Sequence, residues 1–450
     1  MPLTGRTFSE LARALDAGET TGRALTEAAL EAINDDPRAF VRLNPARARS
    51  DADAADASRA SGHAASPFAG IPVSVKDLFD IAGEITTAGS PALSEAAPAA
   101  SDAPVVARLK AAGLVVMGAT QMSEFAFTGL GLNPHYPQPP NPVAPGRVPG
   151  GSSSGAAVSV ALGQAAGAIG TDTGGSVRIP AAFCGLVGFK PTQRRVTRAG
   201  AFPLSTTLDS IGPIANSLAC CTTLDAIIAD APRAAAPPAK LGDLTFGAPV
   251  DIFLDDIDPA VASAFDRALA ILCEAGAQVE RFRFPELARI AMMNARGSIS
   301  NAEAFAIHRR LGLLSRRALY DPNVLARIEL AHAMSAADYL DLLAARSSLI
   351  NDADRRCRPF DALVVPTTPI LAPRLEDVGE SERFARLNQL ALRNPAVVNL
   401  LDRCAVSLPM AVDGPAPAGL MLIGETHGDA RLLAIAAAVE PLVAPPIRGR

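Results

Sequence analysis

The most informative stretch of this sequence runs Gly170-Thr171-Asp172-Thr173-Gly174-Gly175-Ser176-Val177-Arg178-Ile179-Pro180. Two adjacent glycines before a serine let several backbone N–H groups converge on one point, an arrangement that holds anions such as a tetrahedral oxyanion. A Gly-Gly-Ser turn is also common in loops that have no chemical role. The stretch alone therefore does not distinguish an anion-holding turn from an ordinary loop.

A second stretch rich in glycine and serine, Gly150-Gly151-Ser152-Ser153-Ser154-Gly155, lies upstream. It satisfies G-x-S-x-G, the nucleophile elbow of α/β-hydrolases, with Ser153 as the nucleophile. That elbow must follow a β-strand, whereas residues 144–149 form a loop broken by proline. We therefore interpret the stretch as a turn that opens a buried apolar helix over residues 155–170, with a serine hydroxyl at the N-cap.

The third feature is Lys76, which ends the short strand pattern of residues 70–75. Only four of the 41 basic residues are lysines, so this protein uses arginine almost wherever a positive charge suffices. Lysine, unlike arginine, can lose its proton near neutral pH. Neutralising a lysine of ordinary pKa costs about 4.6 kcal/mol at pH 7, which burial would have to offset. An ordinary surface lysine at a strand end is the alternative.

Helix and strand patterns alternate along the chain, which indicates an α/β layer architecture. Helices are predicted within residues 7–34 (two), 44–65, 102–111, 258–275, 286–355 and 429–442. Strands are predicted at residues 70–77, 114–118, 186–191, 244–247 and 361–366, and a linker or long surface loop at 230–240.

Composition excludes several classes of function. The 450 residues are 49% hydrophobic and carry a net charge of −5, so a large core is expected without a basic footprint for nucleic acid. The longest apolar stretch, residues 155–170, is shorter than the roughly 20 residues that a membrane span needs. No secretory signal is apparent, and the six cysteines show neither a disulfide nor a metal spacing. A cytoplasmic location is expected.

Together, Lys76, the 150–155 turn and the 172–180 stretch resemble the amidase signature family, whose motif is a lysine after a strand, then GGSS-x-G, then D-T-G-G-S-[IV]-R-x-P. The 24-residue separation of Ser152 and Ser176 fits this motif, as do the flanking residues 122–125 and 184–192. The resemblance covers most of residues 60–220 and is weaker around 364–369 and 419–437.

The resemblance implies one α/β domain over residues 1–450, built on a single large mixed β-sheet with helices on both faces and helical elaborations. The expected parts are an N-terminal helical part (1–65), the signature core (66–225), a helical substrate-specificity elaboration (240–355) and C-terminal strands and a helix (356–450).

It also implies hydrolysis of a carboxamide C–N bond in a small molecule through an acyl-enzyme, with release of ammonia or an amine and with no metal or cofactor. When the roles of the family motif are carried over to this sequence, Ser176 is the nucleophile, Ser152 is the bridging serine after a cis peptide bond, and Lys76 is the base. The oxyanion hole would be formed by the backbone N–H groups of Thr173, Gly174, Gly175 and Ser176.

Further residues receive supporting roles from the same resemblance. Ser153 would hydrogen-bond to Ser152. Asp172 and Arg178 would pair and rigidify the loop, or Arg178 would lie near a substrate carboxylate. The acyl pocket would be bordered by Gln121, Phe125 and Tyr136.

The main alternative is the glutaminase-type A subunit of a tRNA-dependent amidotransferase complex, which shares the Ser–Ser–Lys triad. Residues 241–350 are rich in Ala, Arg and Leu and do not resemble the features expected of such a glutaminase. An inert scaffold is disfavoured, because all three triad residues are present. The expected partner is a small-molecule amide, without nucleic acid or membrane; a homodimer is left open.

Overall fold

The computed structural model describes residues 1–231 and 237–445. Eleven strands run through this part of the chain: β1 (Phe40–Leu43), β2 (Pro72–Lys76), β3 (Val115–Thr120), β4 (Gly167–Asp172), β5 (Val187–Lys190), β6 (Ser210–Ala215), β7 (Thr245–Pro249), β8 (Gln278–Phe282), β9 (Ala362–Pro366), β10 (Ala405–Met410) and β11 (Ala418–Ile423). They form one sheet in the order β1-β3-β2-β4-β6-β5-β10-β11-β9-β7-β8. β2 is parallel to β3 and β4, and β7 is parallel to β8 and β9, whereas the other neighbours are antiparallel. The predicted single mixed sheet is confirmed.

The helices of the described chain are α1 (Phe8–Asp16), α2 (Gly22–Asp35), α3 (Pro45–Ala60), α4 (Pro104–Ala111), α5 (Ser154–Ala161), α6 (Arg178–Phe183), α7 (Leu218–Ala229), α8 (Pro259–Glu274), α9 (Arg289–Met293), α10 (Ile299–Arg310), α11 (Pro322–Glu329), α12 (Ala336–Cys357), α13 (Ser381–Leu400) and α14 (Asp429–Val443). None of them is both long and apolar enough to cross a membrane.

Helices cover both faces of the sheet. Successive residues of a strand point to opposite faces, so neighbouring residues pack against different helices. On β4, Ala168 packs in an apolar cluster with Val158 of α5. Its neighbour Ile169 packs in a different cluster, which includes Leu224 of α7. The central strands are buried along their whole length, as expected when neither face meets water.

The helix predicted over residues 155–170 is wrong in its second half. α5 ends at Ala161, Gly163 adopts a positive φ of 70°, and residues 167–172 form β4. Short apolar runs do not distinguish a buried helix from a buried strand. Two glycines serve packing here, because a Cβ on Gly167 would lie 2.7 Å from Leu224, and one on Gly170 would lie 2.6 Å from the Ser153 hydroxyl.

Several other elements of the structure differ from those predicted from the sequence. Sequence reasoning missed three helices (α6, α7 and α13) and the strands β1, β6, β8, β10 and β11. Residues 232–236 of the predicted 230–240 linker lie outside the described residues. The segment 240–355 is not helical throughout, because β7 and β8 extend the sheet at one edge. The helical elaboration proper is formed by α9 to α12, between β8 and β9.

Candidate active site

The ends of two parallel neighbouring strands create the site. Lys76 is the last residue of β2, and Thr171 and Asp172 are the last residues of β4. Because the carboxyl ends of parallel strands lie at the same edge of a sheet, these side chains are brought together. The 150–155 turn and the 173–176 loop lie at the same edge and bring Ser152 and Ser176 toward Lys76.

Lys76 is fully buried, and its Nζ lies 2.6 Å from Ser152 Oγ and 2.9 Å from Thr171 Oγ1. Burial lowers the pKa of Lys76 to about 7, although the charges of Asp209 and Asp172 act in the opposite direction. A large fraction of Lys76 is therefore neutral at neutral pH. The sequence provided no signal for the contact with Thr171.

The two serine loops are joined through their backbones. The peptide bond between Gly151 and Ser152 is cis, as the resemblance implied. Ser123 N–H donates to Ser152 O at 3.1 Å, and Ser153 N–H donates to Ser176 O at 3.2 Å. Ser176 is 3% exposed, so it is almost completely buried.

The loop that carries Ser176 is shaped by Asp172. Gly175 has a φ of 121°, which favours glycine, and its N–H donates to Asp172 Oδ1 at 2.8 Å. The Gly175 amide is thus already occupied, which corrects the four-residue oxyanion hole expected from the sequence. Within residues 1–231 and 237–445, the N–H groups of Thr173, Gly174 and Ser176 have no acceptor, so they remain available to a ligand oxygen.

Arg178 lies in the interior rather than in a substrate pocket. Arg178 and Asp172 are both fully buried, with Nε–Oδ2 and Nη2–Oδ1 distances of 2.9 and 2.7 Å. Arg178 also donates to Asn399 Oδ1 at 2.6 Å and to Pro395 O at 3.1 Å. Burial alone would raise the pKa of Asp172, but Arg178 holds it well below its usual range. The loop-rigidifying interpretation is therefore favoured over contact with a substrate carboxylate.

Of three other predicted residues, Ser153 and Gln121 contact backbone carbonyls, and Tyr136 is half-buried. Ser153 donates its hydroxyl to Thr171 O at 3.4 Å, not to Ser152 as expected. Gln121 is buried, and with its NH2 group facing two carbonyls it donates to the backbone of residues 38 and 137, so it holds loops together. Tyr136 is half-buried, and burial raises its pKa.

Phe125, predicted to border the acyl pocket, belongs to a buried aromatic cluster. Its ring centroid lies 5.3 Å from that of Phe202, 4.4 Å from that of His308 and 5.2 Å from that of Tyr320. Burial lowers the pKa of His308 to about 4, and Nδ1 of this ring lies 2.6 Å from the Tyr320 hydroxyl. Sequence reasoning missed these three partners because they come from distant segments.

No group of three or more His, Cys, Asp or Glu in the described part of the chain is arranged to hold a metal ion.

Residues 24–433 match the model of the amidase family. The chain is 40% identical over 424 residues to the 2-amino-5-chloromuconic acid deaminase of Comamonas testosteroni, covering 90% of this chain and 88% of that protein. It is 34% identical over 477 residues to the A subunit of the glutamyl-tRNA(Gln) amidotransferase of Moorella thermoacetica, covering 98% and 97%. A crystal structure of an amidase superposes with a TM-score of 0.88 at 33% identity, covering 97% of this chain and 100% of that one.

Proposed function

This chain belongs to the amidase family and hydrolyses amide bonds, and we propose that it does so with Ser176 as nucleophile, Ser152 as proton bridge and Lys76 as base. The observation that carries this proposal is the buried contact of 2.6 Å between Lys76 Nζ and Ser152 Oγ. A serine is a weak nucleophile until a nearby base removes its proton. A buried lysine with a pKa of about 7 meets this requirement.

In the acylation step, the Ser176 oxygen bonds to the amide carbon while its proton passes to Ser152, and the Ser152 proton passes to Lys76. The carbonyl oxygen becomes an oxyanion that accepts hydrogen bonds from the N–H groups of Gly174 and Ser176. When the C–N bond breaks, the proton returns from Lys76 through Ser152 to the departing nitrogen. Water then cleaves the acyl-enzyme by the same relay, which releases the carboxylic acid and regenerates Ser176.

Arg327, on α11, indicates the class of amide. Burial lowers the pKa of this arginine, and its Nε is buried without a hydrogen-bond partner. In the described part of the chain Arg327 forms no ion pair, and its Cζ lies 5.4 Å from the centroid of the Phe127 ring. A half-buried guanidinium without a carboxylate partner fits an anionic ligand, because carboxylates pair with its planar fork of donors.

Phe127 connects this arginine to the catalytic loops. It lies two residues before Gly129, whose carbonyl accepts from Gly151 N–H at 2.8 Å, directly before Ser152. The 40% identical relative is named for its action on 2-amino-5-chloromuconic acid, itself a carboxylic acid. The substrate is therefore a small amide that also carries a carboxylate, with Arg327 as the group that binds it.

The nucleophile is tested by Ser176→Ala. We expect this variant to lose both amine or ammonia release and labelling by a serine-reactive phosphonate, and Lys76→Ala to lose several orders of magnitude in activity. Stoichiometric labelling of the Ser176→Ala protein on another serine would show that the nucleophile is assigned incorrectly.

The substrate class is tested by Arg327→Met with two amides of equal length, a monoamide of a dicarboxylic acid and its uncharged methyl ester. We expect KM for the charged amide to rise about 10- to 100-fold, the equivalent of a hydrogen bond to a charged group. KM for the ester should not change. Arg310→Met, an exposed position at the end of α10, is the matched control. Equal losses on both substrates would refute a carboxylate contact.

The amidotransferase alternative rests on the 34% identical relative, which matches this chain over almost its whole length. It predicts that glutamine hydrolysis requires partner proteins. A screen of the purified chain against aliphatic, aryl, amino-acid and urea-derived amides, together with glutamine, separates the two functions. Turnover of a carboxylate-bearing amide by the isolated chain supports our proposal; glutaminase activity only after addition of partner proteins supports the alternative.

A further inference from the structure

The turn formed by residues 204–209 supports the loop that carries Ser176. Asp209, which is 7% exposed, accepts a hydrogen bond from the Thr173 hydroxyl at 2.5 Å. The same carboxylate accepts from the N–H groups of Leu204 and Ser205, each at 3.0 Å. Asp209 therefore fixes the first residue of the 173–176 loop to this turn.

Glu303, on α10, holds the other side of the turn. Its carboxylate accepts hydrogen bonds from the Ser205 and Thr207 hydroxyls and, at 3.1 Å, from Thr207 N–H. The Tyr339 hydroxyl of α12 donates to it at 2.6 Å. Burial alone would raise the pKa of Glu303, but these donors hold it below its ordinary value. The charge of this carboxylate, on a residue that is only 7% exposed, is thus stabilised by uncharged hydrogen-bond donors, most of which belong to the 204–209 turn.

Ser205 lies between the two carboxylates, since its N–H donates to Asp209 and its hydroxyl donates to Glu303. Through this residue the helical elaboration is connected to the catalytic loop without touching the reacting atoms. We propose that Glu303 is a positioning residue, which aligns the N–H groups of Gly174 and Ser176 with the developing oxyanion by holding the 204–209 turn. This inference rests on the proposed role of the 173–176 loop.

The same helix contacts the segment that carries Arg327, the residue proposed to bind a substrate carboxylate. Asn301, two residues before Glu303, donates its side-chain amide to Arg327 O at 2.8 Å. The residue proposed to bind the substrate carboxylate is therefore joined by a hydrogen bond to the helix that positions the oxyanion loop. Binding energy from a remote part of a substrate raises kcat when it is used to order groups that stabilise the transition state. The connection through α10 supplies a route for this effect.

The test compares Glu303→Gln with Glu280→Gln, a matched control at an exposed position of the edge strand β8. The glutamine retains the size of the side chain but places an NH2 group against hydroxyl and N–H donors. Loss of one oxyanion donor costs about 100- to 1000-fold in kcat, so misalignment should cost about 10- to 100-fold. We expect this loss in kcat for both the charged amide and its methyl ester, with KM changed by less than about twofold. Glu280→Gln should match the wild type.

A merely structural Glu303 would lower the thermal midpoint and leave kcat per folded molecule unchanged, and that result would overturn the proposal. A change in KM alone would also overturn it. If Glu303→Gln does not fold, Tyr339→Phe decides the question, because it removes one donor to the carboxylate: a lower kcat supports positioning and an unchanged kcat refutes it. Phosphonate labelling of wild-type Ser176 is measured in parallel; if it fails, the proposed function fails, independently of the Glu303 result.

Discussion

The burial of Lys76 should lower the free energy of unfolding of this protein, and the same burial supplies the neutral lysine that the proposed mechanism needs. Its pKa is lowered from 10.5 to about 7 by burial, so between these pH values the unfolded chain binds a proton that the folded chain does not. Stability therefore rises with pH across this window, by about 1.4 kcal/mol per pH unit from Lys76 alone. At pH 7 the accumulated penalty is about 5 kcal/mol.

Replacement by Met removes the charge and retains the length of the side chain. We expect Lys76→Met to be inactive and more stable than the wild type at pH 7. Removal of the buried lysine should raise the free energy of unfolding by about 5 kcal/mol. The hydroxyls of Ser152 and Thr171, which lose their partner, should lower it by roughly 1–3 kcal/mol. The advantage should shrink as the pH rises toward 10.

Denaturant unfolding of both proteins at pH 7.0, 8.0 and 9.0 measures this difference, because other titrating groups are common to the two chains. Lys110→Met is the control, since Lys110 is only half-buried and pairs with Asp102 at 2.7 Å. A stability difference between Lys76→Met and wild type that does not vary with pH would refute the reasoning.

The protonation state of Lys76 should also determine how activity depends on pH. In the proposed mechanism Lys76 acts as a base only when it is neutral, so kcat/KM should fall about tenfold per pH unit below the pKa of about 7 and level off above it. Asp209, whose pKa is raised to about 6 by burial, also titrates in this range. Asp209→Asn distinguishes the two groups: the acid limb should persist and move to lower pH, because the Asp209 charge raises the pKa of Lys76. Two further predictions concern the catalytic loop. Gly175→Ala places a Cβ 2.5 Å from Pro395, on a residue with φ of 121°, and should lower kcat about 100-fold or more; Gly18→Ala, at φ of 69° in open space, is the control and should cost only about 1 kcal/mol of stability without loss of kcat. Arg178→Met leaves Asp172 as an unpaired buried charge and should lower the unfolding free energy by about 3–5 kcal/mol in denaturant titration; an unchanged midpoint would contradict the buried ion pair.

Local patterns predict the parts of the site that lie next to each other in the sequence. The strand ending at Lys76 is such a case, because a short β-branched run followed by a charged pair is a local signal. The 155–170 segment shows the limit, since its apolar residues lack a period that would separate helix from strand. The strand within it, β4, is recognised only when its neighbours β2 and β6 are known.

The other residues to which we assign roles could not be predicted, because each approaches the site only through tertiary packing. Asp209, Glu303 and Arg327 are acidic or basic residues in ordinary contexts, and the sequence contains many like them. Their significance arises from burial and from partners on other segments, as in the hydrogen bond from Thr173 to Asp209. Gly175 was expected to be one of four oxyanion donors for the same reason, since only the fold shows that Asp172 already accepts its N–H.

The hydrogen bonds from Asn399 to Asp172 span 227 residues, and they have a consequence for biosynthesis. A growing polypeptide that has been synthesised only through β6 already contains Lys76, Ser152 and Ser176, yet it lacks the amide that secures the Asp172–Arg178 pair. Contacts of such long sequence separation form late in folding. We therefore expect chains that end before Asn399 to be inactive, even though they already carry all three residues of the proposed triad.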